Sequence, residues 1–435
     1  MVKDIPKGTR LKSSMGIEIV IDEKLGEGGQ GQVYKILYGG QPKALKIYKP
    51  GKIKNPKAFH NNLVKNIKRG APSSHFLWPE DILPWNGKTF GYVMDLRPSE
   101  FVELVDFMND KKDVRFANFK AAITAGLEMT NAYRILHSAG LSYQDLSDGN
   151  FFINPNTGKV LICDNDNVSE YGENLGILGT PQYMAPEIVR GEAKPSTHTD
   201  RFSLAVILFI LLTMTHPLEG SRHLCEYLSP ANERILYGTD PVFILDPNDR
   251  RNAPVKGTHN NIGYIWPALP LYVRQMFTEQ FSRQIMMNPQ RRATEGDWQN
   301  MLIRLRSDTL RCPHCKGELF SHDPKKPVCG NCRKPLGIKG YMKLGGANYS
   351  LPLVAGNIVY RSQFGSANID VAGEPVLKLC SHPQNPGALV IQNISKEALQ
   401  ATKPNGQRVP FEAGKFAACE SGLLLEGFGG SVSVL

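Results

Sequence analysis

Between Gly28 and Pro79 the chain carries no Asp or Glu, although the same stretch holds ten Lys or Arg. Any role there that needs a carboxylate must be filled from elsewhere. Long apolar runs are missing too: Leu204 to Thr215 falls short of the roughly twenty residues that cross a bilayer, and reads as a buried helix. Met1-Val-Lys-Asp-Ile-Pro6 lacks the apolar stretch of a secretory signal, so a cytoplasmic protein with no membrane association is expected. Cysteine is sparse, and Cys163, Cys225, Cys380 and Cys419 are scattered, which argues against a disulfide framework. The basic residues show no interleaved stacking aromatics, so nucleic acid is not an expected partner.

What remains is a globular composition, 41% apolar and 21% charged, in a chain of 435 residues that can bury two or three cores. The net charge of +10 divides unevenly: residues 1–310 carry 37 basic and 33 acidic side chains, 311–340 carry 7 and 2, and 341–435 carry 7 and 6. The first segment should show a basic face around Gly28 to Pro79. That face is either a solvated lysine surface or a docking site for an acidic partner.

The octet Tyr143-Gln-Asp-Leu-Ser-Asp-Gly-Asn150, followed by Asp164 behind the apolar run Val160-Leu-Ile-Cys163, has the form of a phosphoryl-transfer site. Asp145 and Asn150 stand five apart, a spacing at which one tight loop can aim a carboxylate at a substrate hydroxyl and an amide oxygen at a metal ion. Asp164 would supply a second metal ligand. Alone, these are also ordinary turn residues. They gain weight from an ordered company. Upstream lies Leu25-Gly26-Glu-Gly28-Gly-Gln-Gly31-Gln-Val33, after the alternating Ile17-Glu-Ile-Val-Ile21, and then Ala44-Leu-Lys46. Glycines let backbone N–H groups close over phosphates, and Lys46 offers a point charge to the same phosphates. Downstream come Gly179-Thr-Pro-Gln-Tyr-Met-Ala-Pro-Glu187, Asp200-Arg-Phe-Ser-Leu-Ala205 and Asn288-Pro-Gln-Arg-Arg292.

With these motifs in register, residues 15–306 resemble the eukaryotic-type protein kinase family, and the Gly-Thr-x-x-Tyr-x-Ala-Pro-Glu form is that of Ser/Thr kinases. The resemblance implies an α+β bilobal fold, with an N-lobe over 1–97 and a C-lobe over 98–308. It implies that Gly26, Gly28 and Gly31 form the glycine-rich loop, Lys46 binds phosphate, Asp145 is the catalytic base, and Asn150 and Asp164 hold Mg2+ or Mn2+ beside ATP. The strand Tyr92-Val-Met-Asp-Leu-Arg97 would lead into the hinge, with backbone near Asp95 and Arg97 bonding adenine. Leu25, Val33, Ala44 and Phe152 would sandwich the ring. Glu187 and Arg292 match a buried ion pair.

Four departures from that pattern stand out. The helix that normally offers Lys46 a glutamate has none, so either a carboxylate from elsewhere substitutes or the helix is reshaped around Asn61 and Asn62. Asp-Phe-Gly is replaced by Asp164-Asn165-Asp166, which removes an apolar contact. Asp166 is then either an extra metal ligand or a solvated loop residue. Gln144 stands where an arginine would receive an activating phosphate, so activity need not depend on one. Ser147 stands where a lysine is usual, and Asp-Leu-Ser-x-x-Asn resembles the RIO-type kinases. An active enzyme is the favoured expectation; the alternative is a pseudokinase scaffold that binds nucleotide and recruits partners.

Cys312-Pro-His-Cys315 and Cys329-Gly-Asn-Cys332 are two C-x-x-C knuckles whose spacing lets two turns bring four thiolates onto one structural Zn2+, in a small ribbon over 309–339. His314 and His322 would be bystanders. From 340 to 435, Ile358-Val-Tyr, Val376-Leu-Lys-Leu, Ala388-Leu-Val-Ile and Gly422-Leu-Leu-Leu read as strands of an all-β sandwich, with Asn405-Gly406 as a two-residue hairpin. The module resembles a forkhead-associated domain distantly, in Ile358-Val-Tyr-Arg361 and Ile391-Gln-Asn-Ile-Ser395, without the Ser-x-x-His that reads phosphothreonine. The Leu236-to-Pro254 stretch, dense in Pro, Asn and Asp, is expected to be an ordered loop, either a cover over the helices or a docking element. The whole order resembles bacterial kinases of tellurite-resistance and stress loci. That resemblance implies a von Willebrand A-type substrate and a metal-dependent phosphatase as partners.

Overall fold

The computed structural model describes residues 4–435 apart from 88, 110–111, 172, 174–178, 226–227, 321–326, 367 and 369–370. They divide into two compact units, one comprising the residues up to 117 with 132–263 and 277–293, the other 118–131, 264–276 and 294–435.

The first unit opens with a six-stranded antiparallel sheet in the order β1-β2-β3-β4-β6-β5, where β1 is Arg10–Lys12, β2 Glu18–Glu27, β3 Gly31–Tyr38, β4 Gln41–Tyr48, β5 Asp81–Ile82 and β6 Gly91–Met94. Side chains on a strand alternate between its faces. One face buries Ile19, Ile21, Tyr34, Ile36, Leu45 and Val93. The other buries Ala44, Tyr48, Tyr92 and Met94 against Phe59 and Leu63 of helix α1, Pro56–Arg69. Lys46 lies between Ala44 and Tyr48 on this second face, and Tyr92 is its direct cross-strand neighbour.

α1 is specified by its ends and one stripe. The Asn55 side chain caps Ala58 N–H, Pro56 occupies the first turn, and Gly70 ends the helix at φ +79. Its buried residues Phe59, Asn62, Leu63 and Asn66 recur at i, i+3, i+4 and i+7, so half of the buried stripe is amide.

Further along, β7 (Val102–Glu103), β9 (Phe151–Ile153) and β10 (Val160–Ile162) form a three-stranded sheet, and β8 (Leu141–Ser142) pairs with β11 (Ser169–Glu170). Two elements of this unit complete the frame: α3, Pro186–Val189, and α4, Thr197–Thr213, which follows α2, Phe119–Ser138. α4 is buried from Phe202 to Thr213, as the apolar run from Leu204 implied, and no helix among the described residues is long and apolar enough to cross a membrane. The Leu236-to-Pro254 stretch is an ordered loop that begins within a π-helical turn, Arg234–Thr239. Phe243 stacks on Phe281 at 5.3 Å, and buried Asn252 donates to Leu218 O and Val242 O while accepting from Gly220 and Arg222 N–H.

In the second unit, β12 (Thr309–Arg311) and β13 (Glu318–Phe320) form a hairpin around the first cysteine pair. Beyond it, two sheets share one core. The first has the order β15-β14-β23-β22-β19-β20, from Tyr341–Leu344 (β14), Ser350–Pro352 (β15), Leu399–Thr402 (β19), Arg408–Phe411 (β20), Leu424–Gly427 (β22) and Gly430–Val434 (β23). The second has the order β16-β17-β18-β21, from Ile358–Tyr360, Pro375–His382, Asn385–Asn393 and Phe416–Ala418. Met342, Leu351, Phe364, Leu377, Ile391 and Leu425 fill the space between them. The Asn405-Gly406 turn differs from a two-residue loop. The ladder ends at Thr402 and Arg408, Gly406 N–H returns to Lys403 O, and Lys403 N–H bonds Gln407 O with Gly406 at φ +84. Asn405 is not in the left-handed region that a two-residue type I′ loop needs at both centres, so the turn widens around Gly406 alone. Arg361 is held by Glu374 and Glu397 and stacks on Phe428 at 4.1 Å, while Asn393 donates to Glu397 O and Phe411 O. Both segments of the forkhead-associated resemblance thus serve internal contacts.

Candidate active site

Lys46 and Asp166 are 120 residues apart in sequence and meet in the buried interior of the first unit. The Lys46 Nζ lies 3.1 Å from Asp166 Oδ2 and 3.1 Å from Asp164 Oδ1. The two carboxylates differ in surroundings: the Asp164 side chain is 42% exposed and that of Asp166 is fully buried. Tyr92 donates its hydroxyl to Asp166 Oδ1 at 3.2 Å, and Tyr48 donates to Oδ2. Burial by itself would lower the Lys46 pKa, but the Asp164 and Asp166 charges outweigh it and raise it above the ordinary value. Burial, then the Asp166 charge, drives both tyrosines well above theirs.

These contacts decide two open points. Lys46 is paired with carboxylates that lie outside α1, and the reading of Asp166 as a solvated loop residue is overturned: its turn, Asn165–Asn167, is buried throughout. Asn165 fills the place of the apolar residue and donates to Leu77 O and Ile162 O, both at 2.8 Å. α1 meets this segment through neutral bonds, Asn62 and Asn66 each donating to Val168 O at 2.8 Å. Asn62 makes that contact together with Asn66, one helical turn further on, rather than with its neighbour Asn61.

Asp145 sits on a loop anchored from behind. Asp200, near the start of α4, accepts from Tyr143 N–H at 2.8 Å and lies 3.0 Å from His137 Nε2. Gln144 has φ +67, and Asp145 N–H bonds Tyr143 O across it, a three-residue turn of the kind that strains a non-glycine residue. The Gln144 side chain donates to Ser169 Oγ and to Glu173 O, tying the loop to the segment after Asp164. Asp145 Oδ1 is buried with no hydrogen-bond partner among the described residues. Burial, then the nearby Asp164 charge, pushes the Asp145 carboxyl up to about 6. Asn150 is buried, and its Oδ1 accepts from both Ser147 N–H and Ser147 Oγ at 2.7 Å. This capping arrangement is what Ser147 does where a lysine is usual.

The glycine-rich segment is the hairpin between β2 and β3, closed by Gly28 N–H to Gly31 O at 2.9 Å. Lys49 Nζ donates to Gly28 O at 2.8 Å and pairs with Glu27, so the loop is tied to the end of β4. A Cβ on Gly31 would lie 2.6 Å from Ile47 O, whereas one on Gly26 or Gly28 would meet open space. Gly31 is therefore required by strand packing, and Gly26 and Gly28 leave room above the loop. Ala44 is buried, Val33 half-buried and Leu25 49% exposed. Asp95 pairs with Lys43 at 2.6 Å, and the Arg97 guanidinium stacks on the Phe152 ring at 4.4 Å. Glu187 and Arg292 form a bidentate pair at 2.8 and 2.7 Å, and Arg292 also donates to His198 O and Met286 O.

In the second unit, the Sγ atoms of Cys312, Cys315, Cys329 and Cys332 all lie within 4.8 Å of one another, and none is in a disulfide. Cys312 Sγ is 3.6 Å from Cys332 Sγ, and Cys315 Sγ 3.7 Å from Cys329 Sγ. Four sulfurs around tetrahedral zinc at about 2.3 Å stand about 3.8 Å apart, so the cluster fits that ion. Backbone N–H groups, that of Cys315 first, lower the Cys312 thiol to about 6, whereas at Cys332 the Lys334 N–H is outweighed by burial and the neighbouring sulfurs, which push that thiol up to about 11. His314 contributes no atom to the cluster, and His322 lies outside the described residues.

Sequence reasoning missed Tyr48, Tyr92, Asn66, His137 and the place of Asp166. A signal for two of them was present. Tyr48 follows Lys46 at the strand period, and Tyr92 opens the motif already read as the hinge strand.

A family model of the protein kinase domain matches residues 19–294. Among curated relatives, a protein of Zea mays named a probable serine/threonine-protein kinase is 27% identical over 199 residues, covering 39% of this chain and 32% of that protein. One of Corynebacterium efficiens with the same description is 30% identical over 129 residues, covering 26% and 19%. The serine/threonine-protein kinase YPK3 of Saccharomyces cerevisiae is 36% identical over 110 residues, covering 22% and 21%. The chain thus spans about a third or less of the length of these relatives.

Proposed function

The chain belongs to the protein kinase domain family, and on that premise we propose that it transfers the γ-phosphoryl group of ATP to Ser or Thr hydroxyls of a protein. The observation that carries this reading is Asp145: its Oδ1 is buried with no hydrogen-bond partner among the described residues, and its carboxyl is raised to about 6, in the same compact unit as Lys46 and Asp164. Such a group accepts the hydroxyl proton as the nucleophile attacks, and is largely ionised near neutral pH. Lys46 neutralises phosphate oxygens, and the loop from Gly26 to Gly31 closes over them with backbone N–H groups. An adenine lying on Phe152 displaces the Arg97 guanidinium from that ring.

The carboxylate and amide oxygens of Asp164 and Asn150 are the hard donors that suit Mg2+ or Mn2+. The ion neutralises charge on the phosphates when bound. Asp164 is exposed enough to reach it, while Asn150 Oδ1 must give up a Ser147 bond. Ser147→Ala is expected to lower the Mg2+ concentration for half-maximal rate about two- to fivefold, a range set by one hydrogen bond of about 0.5–1 kcal/mol. An unchanged Mg2+ titration would show that Asn150 is not a ligand.

The four-cysteine cluster is proposed to hold one structural Zn2+, all four positions being filled by thiolate. Chelation, or Cys312→Ser, is expected to release one metal equivalent per chain by elemental analysis and to lower the melting temperature of the protein. A metal-free preparation with the same melting curve would refute the assignment. The order of kinase domain, cysteine cluster and β module also supports a finer reading, drawn from the resemblance to tellurite- and stress-linked bacterial kinases. In it, a cytoplasmic enzyme phosphorylates a von Willebrand A-type protein, opposed by a metal-dependent phosphatase, with the β module recruiting the substrate.

The deciding experiment is incubation of the purified chain with γ-labelled ATP and Mg2+ or Mn2+, beside Asp145→Asn and Asp164→Asn, with mass spectrometry for modified Ser and Thr. Label that needs both aspartates is the expected result. Nucleotide binding without aspartate-dependent label would turn the reading to a scaffold.

A further inference from the structure

α1 has no carboxylate to offer, and two of its four buried residues, Asn62 and Asn66, are asparagines spent on Val168 O. Lys46 is nevertheless held on its inner side by a carboxylate that is fully buried. Both oxygens of Asp166 are committed: Oδ1 faces Tyr92 OH at 3.2 Å and Lys46 Nζ at 3.3 Å, and Oδ2 faces Lys46 Nζ at 3.1 Å and Tyr48 OH. A buried carboxylate is tolerated only when its charge is paired and its lone pairs are satisfied, and here three donors do so. They converge for a reason written into the sheet: Lys46 and Tyr48 share a face of β4, and Tyr92 stands directly opposite Lys46 on β6. With no exposed oxygen, Asp166 has nothing left to offer a metal ion.

We propose that Asp166 is the positioning residue for Lys46, taking from the turn behind Asp164 the part that a helix glutamate would otherwise play. This inference rests on the reading of Lys46 as a phosphate-binding lysine. Two consequences distinguish it from a helix-borne partner. The lysine is tethered to a turn that is itself pinned by Asn165 to Leu77 O and Ile162 O, so its position does not depend on a charge carried by α1. The same ammonium also touches Asp164, which is the exposed member of the pair. Were Asp164 to hold a metal ion, Asp166 would keep Lys46 in place; without Asp166 the ammonium would have Asp164 as its remaining carboxylate among the described residues and would compete with the metal for it.

The test is a mutant cycle on the full chain: Asp166→Asn, Lys46→Ala and the double variant, each measured for Mg·ATP dissociation constant by calorimetry and for the KM and kcat of phosphotransfer. Asp166→Asn is expected to weaken Mg·ATP at least tenfold and to raise the Mg2+ requirement several-fold. The double variant is expected to bind no more weakly than Lys46→Ala alone, because Asp166 acts through that lysine. Tyr48→Phe and Tyr92→Phe, which keep the charge pair and remove one donor each, are expected to weaken binding two- to fivefold and serve if Asp166→Asn does not fold. Wild-type affinity in Asp166→Asn, wild-type affinity in both tyrosine variants, or losses that add in the double variant would each overturn the proposal. Mg·ATP binding that follows the expected cycle, with no Asp145-dependent phosphotransfer in the wild type, would sink the kinase reading and leave the role of Asp166 standing. A wild type that binds no Mg·ATP would overturn both.

Discussion

Asp145→Asn is expected to lower phosphotransfer by about 10²–10⁴-fold while leaving Mg·ATP affinity within a few-fold of wild type. The asparagine keeps the shape of the side chain but puts no base at the buried position of Oδ1. The pH profile should carry the same signature. With the carboxyl pKa raised to about 6, kcat/KM falls tenfold per pH unit below that value, and the variant's residual rate loses this limb. Stability moves the other way. The folded-state pKa lies above the ordinary carboxyl value, so the folded protein holds the proton more tightly than the unfolded chain does. The contribution from that proton is fully present below about pH 4 and is lost as pH rises through 6. At pH 8 the variant, which has no charge to bury, should be more stable than wild type by up to about 3 kcal/mol. A variant that retains full activity, or a wild-type rate flat from pH 5 to 8, would remove Asp145 from the reaction.

Arg292→Ala is expected to destabilise the first unit by about 3–5 kcal/mol, because it strands a buried carboxylate. The Arg292 side chain is fully buried and that of Glu187 is 9% exposed, so water cannot take over. The same substitution also removes the bonds that Arg292 now donates to His198 O and Met286 O. Arg292→Lys should recover little, since a single ammonium cannot reproduce the two parallel bonds to Glu187. Urea or thermal denaturation reads the effect, with a fall in melting temperature on the order of 10 °C for a unit of this size. A melting curve that is unchanged in Arg292→Ala would show that the pair is not buried in solution.

Much of the candidate site was legible because it is local. Asp145 and Asn150 lie on one loop, the glycines on one hairpin, and the four cysteines on two knuckles, so spacing alone carries the geometry. The strands near Ile358, Val376, Ala388 and Leu424 were legible for the same reason, as short apolar runs between turn residues. The Asn405-Gly406 turn was misjudged in length because a dipeptide favours a left-handed centre without fixing which strand residues pair.

The sequence by itself determined the order of the motifs, the family they belong to, the absence of an acid from α1 and the convergence of four thiols. It left open whether Lys46 takes a carboxylate from elsewhere or meets a helix reshaped around Asn61 and Asn62. Only the tertiary structure decided which carboxylate that is. Asp164 and Asp166 are two residues apart and chemically alike, and what separates them is that one turn of backbone buries Asp166 against Lys46, Tyr48 and Tyr92 while leaving Asp164 facing solvent. Burial is a property of the packed chain, so no local pattern could have told the two apart.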